Sequence, residues 1–106
     1  MKKIFPDFKE NILIPTVIHD YKTKEVLMLG FNSKSSFKNT LVTGWVWFWS
    51  RTRNKLWNKG EKSGNKFKVR DISIDCDRDT LLIEVELIGK NACHKGTRSC
   101  FTDFNL

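Results

Sequence analysis

The stretch DISIDCDRDTLLIEVE, residues 71–86, constrains the fold more than any other part of the chain. Two runs rich in isoleucine, leucine and valine, over 66–75 and 80–88, read as strands. Asp75, Asp77 and Asp79 stand between them, around Cys76. The runs are therefore strands joined through an acidic turn, and three clustered carboxylates call for a positive partner.

Upstream, NILIPTVIHD (11–20) is β-branched, and EVLMLGF (25–31) follows the turn-like YKTK, which predicts a hairpin. Pro15 suggests an edge position for the first of these strands. NSKSSFKNTLVTG predicts one short helix, with Asn32 and Ser33 as candidate N-caps, Phe37 and Leu41 on one face, and a stop at Gly44. WVWFWS (45–50) alternates Trp45, Trp47 and Trp49 with Val46 and Phe48, apolar on both faces, and predicts a central strand. Residues 51–65 and 89–106 read as loop. The expected fold class is α+β: a mainly antiparallel β-sheet with one short helix and an irregular C-terminal loop. At 106 residues, 1–106 is expected to be a single domain.

Bulk properties narrow the function. No stretch approaches the roughly 20 apolar residues of a membrane span. MKKIFPDFKE places Pro6 and Asp7 where a signal peptide needs apolar residues, so a cytoplasmic location and no membrane partner are expected. The net charge of +7 predicts attraction to polyanions without choosing among them. Three cysteines, an odd number without an export signal, point to reduced thiols and hence to metal binding or catalysis.

Cys93, His94 and Cys100 share the flexible segment ACHKGTRSC, and thiolate and imidazole are preferred zinc ligands. Cys76 is a candidate third thiolate, leaving an open fourth position; a closed site using His94 as a ligand is the rival, and buried apolar cysteines the plain alternative. In an extended strand Asp75, Asp77 and Asp79 would share one face at roughly 7 Å spacing with Cys76 on the other. Carboxylates suit magnesium, although three direct ligands would need the strand to bend; a solvated acidic turn is the alternative. Arg51, Arg53, Lys55, Lys59 and Lys62 interleave with Trp49 and Trp57 and end at Ser63-Gly64-Asn65, a composition suited to phosphate and to stacking on a base. Glu61 could orient a hydroxyl or a water, or pair with Lys59 or Lys62. A basic surface loop with Trp57 in the core is the alternative for the whole segment. His19 reads as structural.

WSRTRNKLWNKGEKSGN, DCDRD and ACHKGTRSCF, in this order, resemble the signature blocks of the phosphoribosyl-AMP cyclohydrolases, and LIPTVIHDYKTKEVLMLGFN resembles that family's N-terminal hairpin. The resemblance runs from about Leu13 to Phe101. It implies hydrolytic opening of the adenine ring, at N1–C6, of 1-(5-phosphoribosyl)-AMP by zinc-activated water in histidine biosynthesis. It implies zinc at Cys76, Cys93 and Cys100, in a site shared across an intertwined homodimer, and magnesium at Asp75, Asp77 and Asp79. His94 is then the expected general acid or base, with Glu61 as a second catalytic candidate. Arg51, Arg53, Lys59, Ser63, Gly64 and Asn65 are expected on the phosphates or ribose of a substrate with two phosphates, and Trp57 on its base. Gly30, Phe31, Thr52 and Lys62 depart from the family pattern, none at an expected metal ligand. No second domain for the preceding step is expected. Two rivals remain: a basic, Trp-rich, zinc-containing module for single-stranded nucleic acid, and a purely structural zinc protein.

Overall fold

The computed structural model describes residues 4–10 and 12–106. The N-terminal hairpin forms as expected: β1 (Ile14–Asp20) pairs antiparallel with β2 (Val26–Asn32), from Ile14 opposite Asn32 to His19 opposite Val26. Alternation along β1 buries Ile14, Thr16, Ile18 and Asp20 in turn. Pro15 does not mark an edge, because β1 lies inside the sheet. Its second ladder begins only at Thr16, so the missing proline N–H stands outside it.

α1 (Lys34–Thr43) starts at Ser33, whose Oγ accepts from the Ser36 N–H at 3.1 Å while Ser36 Oγ accepts from the Ser33 N–H at 2.9 Å. It ends at Gly44, where φ is 77° and the N–H donates to Thr40 O. Ser33 is thus the cap. Asn32 is instead buried, donating to Thr16 Oγ1 at 2.7 Å and accepting from Ser36 Oγ at 2.8 Å. The buried face is Ser36, Phe37 and Thr40, and Leu41 is exposed, so the apolar pair expected on one face is split. Thr40 extends the polar chain, accepting from the Trp47 N–H at 2.9 Å and so fixing where the next strand begins.

That strand, β3 (Trp47–Ser50), is not central. It forms a separate two-stranded ribbon with β4 (Lys55–Asn58), a strand inside the stretch expected to be loop, turning at Asn54 with φ 54°. Phe48 carries the ribbon onto the sheet, its ring against Gly30 of β2 and 5.6 Å from Trp57.

β5 (Lys66–Ile74) and β6 (Leu81–Ile88) are the hairpin read from the sequence, in register from Lys66 opposite Ile88 to Ile74 opposite Leu81, with a bulge between Val69 and Asp71. β6 also runs parallel to β1, giving a four-stranded sheet in the order β2-β1-β6-β5 with one parallel pair. The architecture is α+β and mainly antiparallel, as expected. Ile18, Leu27, Val46, Phe48, Phe67, Ile83 and Val85 form the main core between sheet and ribbon; Ile14, Phe37 and Leu81 form a smaller one under the helix.

Candidate active site

The ribbon, the loop that follows β4 and the loop that follows β6 enclose a cleft of about 590 Å³. Arg53, Trp57, Lys59, Glu61, Ser63 and Asn65 line one side, and Cys93, His94 and Cys100 the other. Nine residues selected from two stretches of sequence some thirty positions apart thus meet in one cavity. Gly64 is not among the lining residues. Arg51 lies over the Phe31 ring, 3.8 Å from its centroid, in an adjoining groove of about 240 Å³ that shares Met28, Ser50, Thr52 and Trp57 with the cleft. Met28, Ser50, Thr52 and Lys62 also line the cleft. Met28 carries no sequence signal, being an apolar residue in a strand, whereas Ser50 and Thr52 flank the basic motif and were reachable from it.

The cleft loops are shaped locally. Gly60 takes φ 85°, and a Cβ there would lie 2.4 Å from Asn65 O, so the chain can fold back only through glycine. Lys59 is 6% exposed and donates from Nζ to Asn65 O at 2.9 Å, with its ammonium 4.9 Å from the Phe67 ring centroid. Burial pushes its pKa down, opposed by the neighbouring Cys100 and Cys93. Asn65 accepts from the Lys90 N–H at 3.1 Å through Oδ1 and so ties this loop to the end of β6. Lys59 and Asn65, two of the six residues expected on the phosphates or ribose, therefore already have protein partners. Trp57 is half-buried with its ring tilted against Phe48, leaving part of the indole facing the cleft.

Across the cleft the two thiols lie close enough to shift each other's pKa. The Lys95 N–H, above all, draws the Cys93 pKa down, with Thr97 and Cys100 adding to it; desolvation and the neighbouring Cys93 push Cys100 up. The pair offers a soft donor set of the kind zinc selects. His94 is exposed in the turn closed by the Gly96 N–H donating to Cys93 O at 3.1 Å.

Cys76 and the three aspartates lie elsewhere. They follow Ile74 at the far end of β5, whereas the cleft loops join its near end, and among the described residues Cys76 does not gather with Cys93 and Cys100 into one ligand group. The acidic segment is not extended, so the two-face arrangement expected of a strand does not occur. Asp75 Oδ1 accepts from the Asp79 and Thr80 N–H groups at 3.0 and 3.1 Å, Arg78 takes φ 62°, and the chain turns. That bend gathers carboxylate oxygens of Asp75, Asp77 and Asp79 within 4.8 Å of one another, as three direct ligands would require. The hydrogen bond with Asp75 and the charges of Asp75 and Asp77 push Asp79 up. Cys76 is exposed beside them.

Fold and cleft define a class: a small α+β domain whose cleft sets paired thiols and an imidazole opposite a basic, indole-bearing loop. The model of the phosphoribosyl-AMP cyclohydrolase family matches residues 28–102. The chain is 58% identical over 93 residues to a phosphoribosyl-AMP cyclohydrolase of Clostridium botulinum (strain Alaska E43 / Type E3), covering 88% of this chain and 84% of that one. It is 55% identical over 100 residues to that of Listeria innocua, covering 94% and 91%. A histidine biosynthesis bifunctional protein of Lactococcus lactis matches at 54% over 98 residues, 92% of this chain but 46% of that longer protein. The chain thus spans about half the length of that relative and most of the length of the other two. It belongs to the phosphoribosyl-AMP cyclohydrolase family.

Proposed function

We propose that this protein is a hydrolase of histidine biosynthesis that opens the adenine ring of phosphoribosyl-AMP between N1 and C6. The observation that carries the reading is the convergence of Cys93, Cys100, His94 and Glu61 in a cleft whose opposite wall is basic and aromatic. Adenine substituted at N1 has an electron-poor C6, where water adds; N1 then departs and must be protonated. His94 is exposed at the cleft and is the group assigned to that proton, with Glu61 assigned to orienting the water. Trp57 offers part of its indole to the base. Two phosphates find two basic positions: Arg53 and Lys62 in the cleft, Arg51 in the adjoining groove.

Cys93, Cys100 and Cys76 would hold zinc, which supplies acidification of a water and polarisation at the reacting carbon. The paired thiols fit that role. One chain keeps Cys76 too far away to join them, so a three-thiolate site needs Cys76 of a second copy, in keeping with an intertwined homodimer. Exposed Leu41, Val42, Phe101 and Phe104 give such a dimer apolar surface to cover. Asp75, Asp77 and Asp79 would hold magnesium, a hard cation matched to clustered carboxylates. The nucleic-acid module is less well supported, because Trp57 packs on Phe48 and Trp45 carries the Lys66 ammonium over its ring, which leaves few open stacking faces.

The test is turnover of phosphoribosyl-AMP before and after chelation, with zinc and magnesium restored separately. Activity should fall to background on zinc removal and return with zinc. Full activity after complete zinc removal would sink the mechanism.

A further inference from the structure

The loop bearing Cys93, His94 and Cys100 contains no helix or strand, so its two thiols need some other means of alignment. Arg98, which lies between them in the chain, is bound at two points to the turn of the β1–β2 hairpin. Its Nη2 donates to Asp20 Oδ2 at 2.5 Å and its Nε to Glu25 Oε1 at 2.7 Å, across 78 and 73 positions of sequence. Asp20 is a fixed anchor: it is 7% exposed, and its other oxygen accepts from the Lys22 and Thr23 N–H groups at 2.8 and 3.0 Å. The guanidinium therefore grips both ends of one turn, through bonds roughly twice as strong as neutral ones.

What surrounds Arg98 transmits that grip to the thiols. On one side, Ala92 N–H donates to Arg98 O at 2.9 Å and Cys93 N–H to Thr97 O at 3.2 Å. On the other, Ser99 Oγ donates to Val26 O at 2.6 Å and Cys100 N–H to Leu27 O at 2.7 Å. The backbone of Cys93 is thus set by Thr97, next to Arg98, that of Cys100 by Leu27 beside the Ser99–Val26 bond, and Arg98 between them is set by the hairpin turn. We propose that Arg98 is a positioning residue which, through Asp20 and Glu25, holds Cys93 and Cys100 together as a ligand pair. The inference rests on the reading of those thiols as part of the site.

The test uses metal-free, reduced protein carrying Cys76→Ser, so that only the pair responds. The probe is phenylarsine oxide, which binds two neighbouring thiols at one arsenic with loss of water. Arg98→Met removes both ion pairs and keeps the aliphatic stem; its affinity for the probe should fall about tenfold or more as the effective concentration of the second thiol drops. Arg98→Lys should recover part of that loss. Probe affinity unchanged within about twofold, whether or not the melting temperature falls, would mark a merely structural ion pair and overturn the proposal. Should Arg98→Met not fold, Glu25→Gln removes one half of the grip, and a measurable loss of affinity is expected; none would overturn it equally. Zinc content and turnover are measured on the same substitutions in chains that retain Cys76. Weakened probe binding with both unchanged upholds the clamp and refutes instead the assignment of the pair as ligands.

Discussion

Gly30 shows how one residue can hold two layers together. A Cβ at this position would stand 2.6 Å from the Phe48 ring, so the ribbon can lie on β2 only where β2 has no side chain. Phe31 beside it carries the Arg51 guanidinium, so these two of the four departures from the family pattern both serve the groove next to the cleft. Gly30→Ala should destabilise the fold by about 1–3 kcal/mol through overpacking. Pairing it with Phe48→Leu should restore part of the loss in urea unfolding, and additive losses would contradict the contact. Lys59 is the converse case. Its charge and its neighbours suggested a phosphate ligand, but its burial follows from the fold-back at Gly60 and the carbonyl of Asn65, neither of which local charge discloses. Arg98 was likewise invisible as a clamp, because its partners are 73 and 78 residues away.

Among the elements, those with strong internal patterns were legible and those formed by pairing were not. β5 and β6 declared themselves by β-branched runs, and α1 by its serine cap and terminal glycine. β4 has only Leu56 and Trp57 among polar residues and becomes a strand because β3 lies opposite, Phe48 against Trp57. The aspartates were assigned strand geometry from their spacing, yet Asp75 uses its own carboxylate to close a turn with Asp79 and Thr80, and a local side-chain bond outweighs the period-2 pattern. The helix offers a test at this scale. Ser33→Ala removes the oxygen that accepts from the Ser36 N–H and should cost about 1 kcal/mol, read as a lower urea midpoint with unchanged slope. No shift would mean that the Asn32–Ser36–Thr40 network fixes the helix start unaided.

For the molecule as a whole, the hairpin of β5 and β6 is a spacer. The loop that carries the Cys93–Cys100 pair leaves it at Ile88, and Cys76 with its acidic turn lies at the other end. The residue types of a candidate zinc site were legible in the sequence, but their separation was not, since spacing along the chain says nothing about which end of a strand each thiol occupies. The central claim of the proposed function is that the site is completed only when Cys76 of one copy meets the thiol pair of another. Subunit mixing tests it most directly. Cys76→Ser and Cys100→Ser proteins, each expected to be inactive, are unfolded together, refolded and assayed on phosphoribosyl-AMP. A site shared between subunits leaves one intact site in each mixed dimer, so random pairing should restore about a quarter of the wild-type activity. Activity that stays at background in the mixture, while wild-type protein recovers through the same refolding, would contradict a shared site.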